Sequence, residues 1–164
     1  PGLVKPKEHS FYITVCQLHA KSRGRVSLRS ADPFEAPRIA LNLFSHPDDF
    51  TSMRNGLRAA RAIYRQTPMA ELIDAETIPG AQHQSDAEID ATIREFGGIT
   101  HHPVGTCAMG IGSDAVVDAQ LRVRGVGALR VVDASVMPTI PSGNTNAATL
   151  MIGEKASDLV LRPT

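Results

Sequence analysis

One stretch of the chain places a side chain that can exchange a proton between a rigid and a permissive backbone position. His102 is followed by Pro103, which fixes the backbone, and by Gly105, which can adopt conformations that other residues avoid. An ordinary imidazole has a pKa of about 6.5, so a neutral ring can accept a proton from a hydroxyl at physiological pH. The pattern indicates a general base at His102. The alternative is a histidine with a structural role only, whose ring nitrogens are hydrogen-bonded within the fold.

A second stretch places amide side chains at the predicted start of the last helix. Asn144 and Asn146 follow Pro141 and Gly143, where unpaired backbone N–H groups begin a helix. An ordinary helix cap accounts for such residues in part. The same N–H groups carry partial positive charge and can stabilise an anion that forms only during a reaction. A base and a charge-stabilising helix end together suit the removal of a hydride from an alcohol.

The spacing of the candidate residues argues against a metal site and against a serine hydrolase. His101 and His102 are adjacent, so on an extended chain their side chains point to opposite sides. Structural zinc needs roughly four ligands that converge, and these two histidines with Cys107 make only three candidates. We therefore predict no metal site. Ser135 lacks the glycine-flanked turn that exposes the nucleophile of a serine hydrolase.

Two glycine-rich stretches, at residues 110–115 and 125–130, invite a nucleotide-binding interpretation. A dinucleotide fingerprint needs a strand before the glycines and a helix after them, so that the helix N-terminus receives the pyrophosphate. Neither stretch has that context, so we predict turns at both.

Composition limits the class of protein. The chain has 164 residues, 42% of them apolar, which suffices for one compact domain. Lys plus Arg equals Asp plus Glu at 17 each, so no excess charge favours nucleic acid or an anionic membrane. No apolar run reaches the roughly 20 residues of a membrane span. The balanced charge favours a small molecule or another protein surface as the partner. Cys16 and Cys107 fit no disulfide framework and are typical of reduced thiols, so we expect a cytoplasmic protein.

Helical periodicity predicts three helices around the candidate segments. The first begins at His46–Asp49 and runs to about Gln66, and its arginines share what we expect to be a solvated face. The second begins with the capping-box pattern Ser85–Glu88 and ends at Gly97. The third begins near Asn144–Asn146. The inward positions expected on these helices are Phe50, Met53, Leu57, Ala60, Ile63, Ile89, Ile93, Phe96, Leu150, Met151, Ala156, Leu159 and Val160.

Alternation of polar and apolar residues predicts strands near the start of the chain. Phe11–Leu18 and Arg25–Ser30 are expected to form a hairpin around Lys21–Gly24, and Arg38–Phe44 a third strand. The polar residues Pro1–His9 are expected to be an edge or a linker and not a core element. Because strands and helices mix without regular βαβ alternation, we predict an α+β fold with an antiparallel sheet covered by helices. Further short strands are expected at 115–117, 121–123 and 129–132.

Around the candidate site residues and along most of the chain, the sequence closely resembles the C-terminal part of the glucose-methanol-choline (GMC) oxidoreductases, especially the choline-dehydrogenase-like alcohol dehydrogenases. Several ordered segments, which span nearly the whole chain, carry the resemblance. They are Ser22–Leu28, Asp32–Pro33, His102–Gly110, Arg122–Gly125, Leu129–Pro138 and Gly143–Lys155.

The resemblance implies that residues 1–164 are one domain, the substrate-binding and catalytic portion of a longer flavoprotein. Relatives bind FAD mainly with an N-terminal glycine-rich unit that these residues lack, so an FAD-binding domain is an expected partner. Residues 101–164 are then the flavin-facing and catalytic segment that packs on that domain. The implied reaction is FAD-dependent oxidation of a primary alcohol to an aldehyde, for which the chain alone is expected to be inactive.

The resemblance also implies roles for three side chains at the reaction centre. His102 takes the alcohol proton while a hydride passes to flavin N5, and Asn144 occupies the second active-site position. His101 stands where relatives commonly have an aromatic residue, so it is expected to face the substrate or to share the proton. A chain that is 4% aromatic and lacks Trp completes no aromatic cage, which argues against choline itself. A non-catalytic binding module that keeps the fold is the alternative.

The cofactor contacts implied by the resemblance fall on two short runs. Asp133 and Ala134 are expected to approach the phosphate or ribityl region of FAD. Thr145, Asn146 and Ala147 are expected to present their backbone to the N1 and C2 carbonyl edge of the flavin.

Overall fold

The computed structural model of the chain describes residues 8–161. The edge or linker expected at Pro1–His9 therefore lies, up to Lys7, outside the described residues. Contacts divide the chain into two compact units, and the single domain expected over residues 1–164 stays a prediction. Unit 1 contains the described residues up to Gln17, Lys21–Arg23 and Asn42–Gly98, and unit 2 contains Leu18–Ala20, Gly24–Leu41 and the described residues from Ile99.

Unit 1 is built on two helices that pack against each other. Helix α1 spans Pro47–Tyr64 and helix α2 spans Asp86–Phe96, with a short 3-10 helix at Met69–Leu72 between them. Phe50 from α1 forms a buried cluster with Ile89 from α2, as the periodicity predicts. The predicted inward positions Ile63 and Phe96, near the carboxyl ends of the two helices, were wrong, because each is more than half exposed.

Both helices begin with the predicted caps. The ring of His46 accepts a hydrogen bond from the Asp48 N–H, at the amino end of α1. At α2 the Ser85 side chain accepts from the Glu88 N–H while the Glu88 carboxylate accepts from the Ser85 N–H, which completes the capping box. The helix ends at Gly97, as predicted.

The solvated face predicted for the arginines of α1 is only partly present, because Arg58 and Arg65 are exposed whereas Arg54 and Arg61 are not. Arg54 forms ion pairs with Asp86 and Asp90 of α2, and Arg61 is buried beside Glu76. The correction has a physical reason: carboxylates placed later in the chain fold back onto this side of α1. Helical spacing alone therefore does not separate a solvated stripe from an internal ionic seam.

The expected strand at Phe11–Leu18 has no strand partner in the structure. Its side chains instead pack on α1, where the Phe11 ring meets the Tyr64 ring edge-on at 5.3 Å between centroids. Val15 comes so close to Gly56 that a Cβ there would lie 2.3 Å from the valine Cγ1. These contacts join the segment to a helix and not to a strand, so the prediction of a hairpin strand was wrong.

Unit 2 contains the antiparallel pair. Strand β1, Arg25–Ser27, pairs with strand β2, Arg38–Ala40, with Val26 opposite Ile39. A Cβ on Gly24 would lie 2.5 Å from the Ala40 carbonyl oxygen, so glycine is required there by close approach of two backbones. The α+β class with an antiparallel sheet is thus confirmed, while the pairing partner predicted for β1 was wrong.

The core of unit 2 lies under the last helix. Helix α3 spans Thr145–Leu161 and packs against a short 3-10 helix at Ala134–Val136. One side of α3 faces a buried apolar cluster. Residues on this core-facing stripe recur every three or four positions and are Thr145, Ala148, Ile152, Ala156 and Leu159. The predicted inward positions Leu150, Met151 and Val160 were wrong, because each is more than half exposed.

Residues 109–130 are folded by turns and single bridges. Val117, fully buried, bridges both Met109 and Val123. The continuous strands predicted here do not form, because left-handed residues such as Leu121, with φ of 62°, interrupt the ladders. The glycine-rich stretches form turns, as predicted. No helix within residues 8–161 has the length and apolar content needed to cross a bilayer.

Candidate active site in unit 2

The ring of His102 is held by the first residue of α3. Its Nδ1 lies 2.8 Å from the Thr145 hydroxyl oxygen, across 43 positions of sequence. Thr145 is 7% exposed, whereas the His102 side chain is half-buried. The contact brings the predicted base to the amino end of a helix, and it leaves Nε2 as the ring nitrogen without a partner among residues 8–161.

Backbone hydrogen bonds fix the loop that carries His102. The Cys107 N–H donates to the Ser135 carbonyl at 3.0 Å, and the Met109 N–H donates to the Val136 carbonyl at 2.8 Å. Gly105 has a φ of 91°, in the left-handed region, and a Cβ there would lie 3.5 Å from the Met137 carbonyl oxygen. The loop therefore follows the 3-10 helix closely, and its left-handed backbone accounts for the glycine at position 105.

The other predicted site residues at α3 are exposed on its first turn. Asn144, Asn146 and Ala147 are all exposed. The Asn144 amide has no hydrogen-bond partner within the described part of the chain. First-turn N–H groups have no intrahelical acceptor, so this end of α3 presents polar donors beside the His102 ring. Thr145 differs from its neighbours, since its side chain turns into the protein.

His101 is exposed and has a φ of 60°, an uncommon backbone state for a residue with a side chain. Within residues 8–161 its ring makes no hydrogen bond. The structure therefore does not join His101 to the contact between His102 and Thr145, and its expected role toward a substrate stays a prediction.

Asp133 has a structural contact of its own. Its carboxylate accepts a hydrogen bond from the Ser135 N–H at 2.7 Å and so caps the 3-10 helix. Asp133 is exposed, and the neighbouring Ala134 packs against the core of unit 2. The carboxylate thereby orients the turn that receives the His102 loop, and a contact of Asp133 or Ala134 with FAD stays a prediction.

Sequence patterns did not identify two other polar residues of unit 2. The Ser142 hydroxyl lies 3.1 Å from His19 Nε2, although 123 positions separate them. Both side chains are exposed. No local spacing signals such a pair. Among residues 8–161, no three His, Cys, Asp or Glu side chains converge into a metal-binding cluster.

Comparison with known proteins identifies the family. Residues 20–153 match the family model described as GMC oxidoreductase. The chain is 44% identical over 154 residues to an alcohol dehydrogenase [acceptor] of Pseudomonas putida, covering 94% of the chain. It is 46% identical over 162 residues to an oxygen-dependent choline dehydrogenase of Brucella anthropi, covering 98% of the chain. It spans only 28% and 30% of the lengths of these two relatives.

Solved structures show the same fold. Pyridoxine 4-oxidase from Mesorbium loti matches 90% of the chain with a TM-score of 0.84 and 34% identity, over 29% of its own length. An FAD-dependent oxidoreductase from Chaetomium thermophilum matches 87% of the chain with a TM-score of 0.82 and 33% identity, over 25% of its length. Because the family model, the relatives and the fold agree along nearly all of the chain, the chain belongs to the GMC oxidoreductase family.

Proposed function

We propose that this chain is the substrate-binding and catalytic portion of an FAD-dependent oxidoreductase that converts a primary alcohol to an aldehyde. The observation that supports it most directly is the 2.8 Å contact between His102 and Thr145, which places an imidazole at the amino end of α3. The names of its relatives, an alcohol dehydrogenase and a choline dehydrogenase, agree with an alcohol substrate.

His102 is the proposed base. With Nδ1 turned to Thr145, Nε2 is free to take the proton of a substrate hydroxyl. The half-buried ring is partly shielded from water but still reachable by a small molecule. Asn144 is the proposed second residue, because its exposed amide can donate to the substrate oxygen as that oxygen loses its proton.

The residues at the start of α3 fit the edge of a flavin. They are small or neutral, and the first-turn N–H groups of Asn146 and Ala147 offer donors with partial positive charge to carbonyl and ring-nitrogen acceptors. Bound FAD would supply the hydride acceptor for the alcohol carbon. The residues proposed to hold its ring are Thr145, Asn146 and Ala147, with Asp133 and Ala134 toward the phosphate or ribityl part.

The side of α3 that faces away from the core of unit 2, here called its outer side, is the proposed contact surface for an FAD-binding partner domain. Leu150 and Met151 are 67% and 58% exposed and lie away from the core-facing stripe. They precede the exposed charged residues Glu154 and Lys155, and an exposed apolar patch beside polar residues is typical of an interaction surface. We therefore place the FAD-binding portion of the same protein against this outer side.

The test is the rate of flavin reduction in the FAD-loaded protein that contains this chain. Catalysis by a general base typically increases a reaction rate by a factor of about 10² to 10⁴. His102→Ala should slow the single-turnover reduction of the flavin by alcohol at least about 100-fold, while the flavin stays bound. An unchanged rate removes His102 from the role.

His101→Ala is the matched comparison, since the two histidines are adjacent. If His101 only faces the substrate, this change should raise KM and leave the rate constant of flavin reduction near the wild-type value. A loss equal to that of His102→Ala would instead assign the proton to both rings.

A further inference from the structure

We propose that Thr145 is a positioning residue that fixes the tautomer of His102, accepting a hydrogen bond from Nδ1–H so that Nε2 is the proton-accepting atom. This inference rests on the proposed role of His102 as a base. It adds a side-chain function to a residue from which only backbone contacts were expected.

The contact is built into the protein. The Thr145 side chain is buried, and its hydroxyl oxygen lies 2.8 Å from His102 Nδ1. Since Nδ1 is occupied and turned inward, a proton from a substrate can reach the ring only at Nε2.

The direction of the hydrogen bond decides whether the ring can act as a base. A neutral imidazole carries one N–H, and the other nitrogen is an acceptor. If the hydroxyl of Thr145 donated to Nδ1, the ring proton would sit on Nε2, and His102 could not take a second proton there. If Nδ1–H donates to the threonine oxygen, Nε2 keeps its lone pair and is ready to react.

The same hydrogen bond persists through the proton transfer. The O–H bond of the alcohol breaks, an Nε2–H bond forms, and the ring becomes a cation with Nδ1–H still bound to the Thr145 oxygen. No rotation of either side chain is needed. A group held in its reactive orientation before the step loses little entropy in reaching it.

Helix α3 makes Thr145 a rigid support. Its β-branched side chain has few rotamers in a helix. Its carbonyl accepts the Thr149 hydroxyl at 2.8 Å, and further along the same stripe lie the buried Ile152 and Ala156. Backbone hydrogen bonds hold the loop that carries His102, so both partners of the contact are fixed.

The first test is the tautomer of His102, read by ¹⁵N NMR on the whole 164-residue chain labelled at histidine. The wild-type ring should be mainly the Nδ1–H form at a pH where it is neutral. Thr145→Val, which keeps the branch but removes the hydroxyl, should raise the Nε2–H population, and Thr145→Ser should restore the wild-type signal. His102→Gln assigns the resonance. A wild-type ring that is mainly Nε2–H overturns the proposal without any variant.

The second test is kinetic, in the FAD-loaded protein that contains this chain. Thr145→Val should lower the rate constant of flavin reduction about tenfold, which corresponds to about 1.4 kcal/mol, with little change in KM. Thr145→Ser should recover most of that loss. Equal loss in the Val and Ser variants would indicate a role in packing only and would overturn the proposal.

The outcomes separate the two proposals. If His102→Ala slows flavin reduction but Thr145→Val changes neither tautomer nor rate, the base stands and the positioning role falls. If the tautomer depends on Thr145 but His102→Ala reduces flavin normally, the contact orients a ring that is not the base. Circular dichroism of each variant shows whether it is folded, and Thr145→Ala replaces Thr145→Val if the latter is not.

Discussion

The guanidinium of Arg61 contacts both carboxylate oxygens of Glu76, with nitrogen-to-oxygen distances of 2.8 to 3.1 Å. The same guanidinium donates to the carbonyls of His83 and Gly80, at 2.9 and 3.1 Å. The Arg61 side chain is 8% exposed and that of Glu76 is 24% exposed. One side chain of α1 thereby holds the irregular segment that leads to α2.

Arg61→Met should destabilise the protein by about 3 to 5 kcal/mol, because it leaves the Glu76 carboxylate and two carbonyls without their cationic partner. Arg65→Met is the matched control from the same helix side, and this exposed change should stay within about 0.5 kcal/mol. Urea unfolding at neutral pH measures both. A cost for Arg61→Met no larger than that of the control would show that the cluster contributes nothing.

Asp49 should make stability depend on pH in the acid range. Burial raises the pKa of its carboxyl, but hydrogen bonds from the Lys21 N–H, from the Ser22 hydroxyl and N–H, and from Gln17 together lower it, from 3.8 to about 2. Because the folded-state pKa lies below the unfolded value, this contribution is present above about pH 4 and is lost as the pH falls toward 2.

The expected size of this contribution is about 2 kcal/mol, at about 1.4 kcal/mol for each unit of pKa difference. Asp49→Asn removes the titrating group, so the fall in unfolding free energy between pH 5 and about pH 2 should be smaller in the variant by that amount. Urea denaturation across this range measures the difference. Equal slopes in the two proteins would contradict the prediction.

The contrast between Arg61 and the capping box shows what sequence can predict here. Ser85 and Glu88 find each other within three residues, so a local pattern was enough to place the start of α2. The carboxylate that meets Arg61 comes 15 positions later, and the segment between is irregular. Helical spacing predicts the side of α1 on which Arg61 lies. It does not predict which later residues pack against that side.

The same distinction applies to the candidate site. His102 and the start of α3 were predicted from their own residues, together with the family resemblance. The contact of His102 with Thr145 joins positions 43 apart, and only backbone contacts were predicted for Thr145. A signal was nevertheless present, because Thr145 lies in register with the buried Ile152 on α3, which predicts an inward side chain.

Gly105 should be required by its backbone conformation rather than by lack of space. At a φ of 91° a Cβ would make only ordinary contact, 3.5 Å from the Met137 carbonyl oxygen, so the cost of Gly105→Ala is strain. We expect a loss of about 1 to 3 kcal/mol in unfolding free energy. Gly112→Ala is the control, since no atom lies within 4 Å of a Cβ there, and thermal unfolding of both should show loss only at Gly105.

The last prediction concerns the outer side of α3. Leu150 is 67% exposed, so Leu150→Asp should change the unfolding free energy of this chain by no more than about 0.5 kcal/mol. If the chain is part of a longer FAD-loaded protein, as proposed, the same change would bury a carboxylate against the proposed partner surface, at a cost of several kcal/mol. We therefore expect that protein to release its flavin, measured by absorbance after gel filtration.

Leu150→Met is the matched control, because it keeps an apolar side chain of similar volume and should retain the flavin. The difference between the two variants separates a lost interface from general damage to α3. Full flavin retention by Leu150→Asp, at wild-type stability of the chain, would mean that the partner domain packs elsewhere. Loss of flavin in the longer protein only, with an unaffected chain, assigns this side of the helix to the FAD-binding partner.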